Sequence, residues 1–193
     1  MKKIMFNNKY GLTKAVLERR KTHTRRLVPE SLFTLQWDVR ENTLVFENSM
    51  GDFIDIRHSR YAQYKAGEIV AVAQAYNDFF NDEYDPTKFP DGEGWNNKMF
   101  VKAELMPHHI RITNVRVERL QDISDEDCLR EGIEERRDPY LKELEYGIYN
   151  GNKPILLKPT PRDAYAALID KISGKGVFQS NPFVFVYEFE LID

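Results

Sequence analysis

The chain has 193 residues, 41% of them hydrophobic and 12% aromatic, enough to bury a core. It is most economically one domain, 1–193, with insertions near 32–61, 77–97 and 136–160. A formal charge of −3 and a pI near 5.9 exclude a protein whose whole surface coats nucleic acid, so any polyanion contact must be local. A single cysteine, Cys128, excludes an internal disulfide, and with a polar N-terminal stretch and no long apolar run the expectation is a cytoplasmic protein without a membrane span.

Thr13 is the expected cap of a helix running through Arg19, with Leu12, Ala15 and Val16 on its buried side. That helix leads into Arg19-Arg20-Lys21-Thr22-His23-Thr24-Arg25-Arg26, where eight residues hold five cations, two hydroxyls and an imidazole. Three readings of the stretch are open. It can be a solvated helix end whose cations complement the helix dipole. It can be an anion-contact surface, because Arg forks match phosphate oxygens. It can be catalytic, with like charge disfavouring the ammonium form of Lys21 so that it acts as a base toward Thr24. On a regular strand Lys21 and Thr24 would point to opposite faces, so their cooperation predicts an irregular turn at Lys21-Thr22.

Segments 32–39 and 43–47, separated by Arg40-Glu41-Asn42, read as a hairpin, and Phe53 to Arg57 as a third strand. After the turn Tyr64-Lys65-Ala66-Gly67-Glu68, Ile69 to Ala75 suits a strand buried on both faces. The polar loop 77–97 carries Asp78, Asp82, Glu83, Asp85, Asp91 and Glu93 without the spacing of a calcium loop, and reads as a lid or insertion. The adjacent His108-His109 would face opposite sides of a strand, so no metal or other cofactor is expected.

Ile110 to Arg119 alternates apolar and polar residues, with a slip near Asn114 that predicts a bulge. Ser124 is an N-cap for a helix with acidic residues in its first turn and Asp127 at the capping-box position, stopped by Gly132. Glu131 sits at the unfavourable end of that helix dipole, so its pKa should rise unless a cation pairs with it; Lys21 is the candidate cation. The stretch 136–161 is charged, rich in turn formers and expected as a surface excursion. Arg162 to Ile172 has helical spacing up to Gly174. Phe183 to Ile192 reads as a central closing strand whose aromatics form core.

Lys21-Thr22-x-Thr24-Arg25, Tyr64-Lys65-x-Gly67-Glu68, Ile123-Ser124-x-Glu126 leading to Glu131-Gly132, and Asn181-Pro182-Phe183-Val184 together resemble the ASCH family. The most specific part is Met106-Pro107, Arg111-Ile112 and Val117 to Ser124, and the likeness is to the larger, prophage-associated members. The resemblance implies an α+β fold, a PUA-like mixed β-barrel with short helices packed outside. It implies a cleft that takes RNA or a modified nucleobase. In one branch it also implies an amidohydrolase that deacetylates acetylcytidine, with Thr24 as nucleophile, Lys21 as its base and Glu131 as proton donor to the leaving amine. Thr22, Arg25, Arg26 and Arg111 are the candidate contacts to nucleic acid or substrate. The primary reading is binding of RNA or a modified nucleoside around Lys21, Thr24, Arg25 and Glu131. The alternatives are the amidohydrolase and a protein-interaction module of a mobile element.

Overall fold

In the computed structural model of the chain the described residues are 1–29, 35–38, 40–79, 92–137 and 142–193. Part of the expected strand 32–39, and Asp82, Glu83, Asp85 and Asp91 of the acidic loop, lie outside them.

The first half of the chain holds β1 (Lys3–Ile4), α1 (Leu12–Leu17), β2 (His23–Leu27), β3 (Gln36–Asp38), β4 (Thr43–Glu47), β5 (Phe53–Asp55) and β6 (Ile69–Val72). The second half holds β7 (His109–Arg119), α2 (Asp125–Arg130), β8 (Glu134–Arg137), β9 (Leu144–Asn150), β10 (Lys153–Lys158), α3 (Pro161–Ser173), α4 (Val177–Ser180) and β11 (Phe183–Leu191). The fold is therefore mixed α+β, dominated by sheet, with short helices. A five-stranded sheet has the order β1-β6-β7-β11-β2, and two three-stranded sheets have the orders β10-β9-β8 and β3-β4-β5. Among the described residues no sheet closes on itself. No helix of the described residues is long and apolar enough to cross a membrane.

β11 is the spine, pairing antiparallel with β7 on one side and with β2 on the other. Its apolar run explains this place, since Val184, Phe185, Val186 and Tyr187 are all at most 1% exposed and only a strand covered on both faces can hide them. Its register with β7 shifts between Glu188, opposite Asn114, and Phe189, opposite Ile112, which leaves Thr113 as the bulged residue at the expected slip. β6 is also buried on both faces. Val70 and Val72 join the main core, while Ala71 and Ala73 join a smaller one with Tyr76, Val101 and Met106.

Two expectations are corrected. Thr13 does not cap α1. Gly11 stands at the cap with φ 64°, and the Thr13 hydroxyl turns inward to the Phe6 carbonyl and Asn8. The helix also stops at Leu17, because Arg19 takes a left-handed φ of 60°. Among the described residues of the expected surface excursion, β8, β9 and β10 form an antiparallel sheet that stays largely at the surface, turned at Asn150-Gly151-Asn152, with Ile148 in the core. Its Pro154 lies on an edge strand, where a missing ladder N–H is tolerated.

The hairpin β3-β4 and the third strand β5 form as expected, and so does α2, whose N-cap Ser124 accepts from the Asp127 amide. Thr160 caps α3 in the same way, with Pro161 at its first position and Gly174 at its end.

Candidate functional site

The basic stretch is shaped by how α1 ends. The amides of Arg20 and Lys21 both reach the Ala15 carbonyl at 2.9 Å, and the Thr22 amide crosses to the Arg130 carbonyl at the end of α2, also at 2.9 Å. Regular pairing with β11 begins only at His23. Lys21 and Thr22 thus lie in an irregular segment between α1 and β2, where the sequence predicts a break from regular strand geometry.

This turn drives the Lys21 side chain inward, until the residue is 2% exposed. Its ammonium donates to the His23 carbonyl at 2.7 Å, to the Glu131 carbonyl at 2.8 Å and to Glu131 Oε2 at 2.6 Å. Gly132, at φ +105°, makes room for this approach; a Cβ there would stand 3.2 Å from Leu12 Cδ2 and 3.6 Å from Lys21 Cδ. Burial lowers the Lys21 pKa below the ordinary lysine value, and the attraction of Glu131 opposes but does not cancel it.

Arg25 is the second anchor of Glu131. Its Nη1 lies 3.1 Å from Glu131 Oε1, its Nε 2.8 Å from Glu118 Oε1 and its Nη2 2.8 Å from Asp127 Oδ2. Arg116 extends the network to Asp127 at 2.6 Å and to Glu188 at 3.1 Å, and also pairs with Glu118. Burial would raise the Asp127 pKa, yet Arg25 and Arg116 outweigh it and hold the carboxyl below its ordinary value. For Arg25 the pull of Glu131 and its other partners likewise outweighs burial and strengthens the charged form. His23, 3.8 Å from Asp127, goes the other way: burial lowers its pKa.

Lys21, Thr24, Arg25, Arg26 and Glu131 line one cavity of about 640 Å³. That size falls within the roughly 300–1,000 Å³ typical of small-molecule sites. Its polar lining also includes Asn8, Lys98 and Tyr165, and Leu168, Ile169 and Ile172 of α3 with Val184 of β11 contribute apolar lining. Thr24 is 5% exposed, and its hydroxyl makes no hydrogen bond among the described residues.

Two candidates lie elsewhere. Thr22 sits outside the cavity lining, with its hydroxyl 3.0 Å from His23 Nδ1. Arg111 is near the opposite end of β7, half exposed and bonded to Glu190 at 2.9 Å. Asp127, Glu118, Lys98 and Tyr165 were not singled out as site residues. In the sequence Glu118 lies two residues from Arg116 in the alternating stretch of β7, Asp127 reads as a capping-box residue, and Tyr165 falls within the helical spacing of 162–172. Among the described residues no group of three or more His, Cys, Asp or Glu side chains is arranged to hold a metal ion. Cys128 is buried, and burial pushes its thiol up to about 12, which leaves it unreactive.

No family model, curated protein or solved structure matches the chain.

Proposed function

We propose that this chain is an ASCH-type protein of PUA-like architecture whose cavity binds a modified nucleobase or a short RNA segment. The observation that carries the reading is the convergence of Lys21, Thr24 and Glu131, from two separate parts of the chain, on one cavity of ligand size. The mixed lining suits a base. The apolar side chains of α3 suit its face, and the unengaged Thr24 hydroxyl suits its edge. The overall acidity of the chain agrees with recognition in a pocket rather than along a broad basic surface.

A second reading, the amidohydrolase, is favoured by the Thr24 hydroxyl and by the lowered Lys21 pKa. In that reaction Thr24 Oγ1 bonds to the acyl carbon and passes its proton to neutral Lys21. The carbon–nitrogen bond breaks, and the amine leaves with a proton from Glu131. Water then cleaves the Thr24 ester to release the carboxylic acid and restore the hydroxyl. The resting geometry favours binding over this chemistry, because all three Lys21 N–H groups donate to acceptors other than Thr24, one of them the Glu131 carboxylate.

The test is to incubate the protein with acetylcytidine, following release of acetate, and to measure binding of the same nucleoside by calorimetry. Thr24→Val keeps the ion pairs and the shape while removing the hydroxyl. Binding without acetate release supports the pocket alone. Acetate release that Thr24→Val abolishes establishes the hydrolase. Absence of both overturns the proposal.

A further inference from the structure

The described residues that line the cavity carry more cations than carboxylates. Among the described residues its charged lining comprises the cations Lys21, Arg25, Arg26 and Lys98 and one carboxylate, Glu131. The two Glu131 oxygens are taken by Lys21 and Arg25, and Arg25 is matched again by Glu118 and Asp127. Arg26 and Lys98 are different: among the described residues their hydrogen bonds go only to neutral acceptors. Arg26 Nη2 donates to the Met5 carbonyl at 2.7 Å. Lys98 donates to the Phe6 carbonyl, to Asn8 Oδ1 at 2.7 Å and to Thr13 Oγ1 at 3.2 Å.

A second observation points to a missing acceptor. Arg26 Nε is buried and has no hydrogen-bond partner, and the Tyr165 hydroxyl, on a residue only 2% exposed that also lines the cavity, has none either. Unpaired buried donors are costly, so a donor left open on a cavity lining is an arrangement that an incoming acceptor completes. The two cations also lie close enough to feel each other. Burial, the larger effect, brings the Lys98 amine down to about 8, Asp78 pulls it back up, and the Arg26 charge lowers it further. Such mutual repulsion is relieved by an anion placed between them.

We propose that Arg26 and Lys98 form an anion subsite of the cavity, which receives the phosphate of a nucleotide whose base lies toward Thr24 and Lys21. Arg26 supplies the donor, and Lys98, whose N–H groups are already engaged, supplies charge. The proposal rests on the nucleobase reading of the same cavity and narrows its ligand from a nucleoside to a phosphorylated one.

Calorimetry at fixed ionic strength with cytidine, acetylcytidine, the 5′-monophosphate of each and a trinucleotide containing the base tests it. The wild-type protein should bind each monophosphate about tenfold more tightly than its nucleoside, as expected for a charge-assisted contact. In Arg26→Gln and Lys98→Gln that ratio should fall below about threefold, while Lys98→Arg, which keeps the charge, should retain it. A trinucleotide that binds tighter still assigns the subsite to a phosphate within a strand, and equal binding assigns it to a mononucleotide. Equal affinity for nucleoside and monophosphate, or a ratio that survives both substitutions, overturns the subsite and leaves the base pocket standing. Failure of every probe to bind overturns both.

Discussion

Lys21 Nζ lies 2.6 Å from Glu131 Oε2, with the two side chains 1% and 5% exposed. The pair is asymmetric, because Glu131 also holds Arg25 at 3.1 Å whereas among the described residues Lys21 meets no second carboxylate. Glu131→Gln therefore leaves a buried lysine facing neutral groups and weakens Arg25, at a cost of about 3–5 kcal/mol. Lys21→Met leaves Glu131 with Arg25 and keeps the apolar stem, and is expected to cost on the order of 1–2 kcal/mol less. Urea unfolding at neutral pH ranks the two. The opposite order would show that Arg25 alone cannot compensate Glu131.

Acid stability should depend on Asp127. Its folded-state carboxyl is held below the ordinary 3.8, so the unfolded chain takes up the proton first and stability rises with pH across that window. The contribution is complete above 3.8 and disappears as pH falls through the lower folded-state value. The stability difference between wild type and Asp127→Asn is expected to shrink steadily between about pH 4 and 2. A difference that stays constant in guanidinium titrations over that range would remove Arg25 and Arg116 as the cause.

Gly147 marks the tightest point of the β8-β9-β10 meander. A Cβ added there would stand 1.9 Å from the Leu156 carbonyl oxygen, backbone that cannot step aside. Gly147→Ala is expected to cost about 3 kcal/mol or more, at or beyond the upper end of overpacking penalties. Gly151 in the adjoining turn has φ +60° but open space around its Cβ position, so Gly151→Ala pays only backbone strain of roughly 1–2 kcal/mol. Thermal unfolding of both variants distinguishes the two mechanisms, and equal losses would contradict the steric account.

Much of the fold was legible because its signals are local. Ser124 and Gly132 bracket α2, the alternation in β7 announced its bulge, and the two-sided apolar run of β11 demanded a central place. The irregular segment at Lys21 and Thr22 was expected only on the assumption that Lys21 and Thr24 face one side. The strands β8, β9 and β10 were hidden, because their charges and turn formers are those of a surface loop and their few apolar anchors, such as Ile148, show only once packed.

The site divides along the same line. The chain itself determined which groups could do chemistry and that Lys21 and Thr24 had to leave regular strand geometry to act together. Only the tertiary structure decided their partners. Arg25 meets Glu118 and Asp127 across 93 and 102 residues, and Lys98 reaches the Phe6 carbonyl across 92. It also separated Arg111 from Arg116 and Glu118, which share the polar character of one strand yet lie toward its opposite ends. Caps and periodicity act over two to four residues and are written in order along the chain, whereas a cavity is assembled from strand register and burial that no local pattern contains.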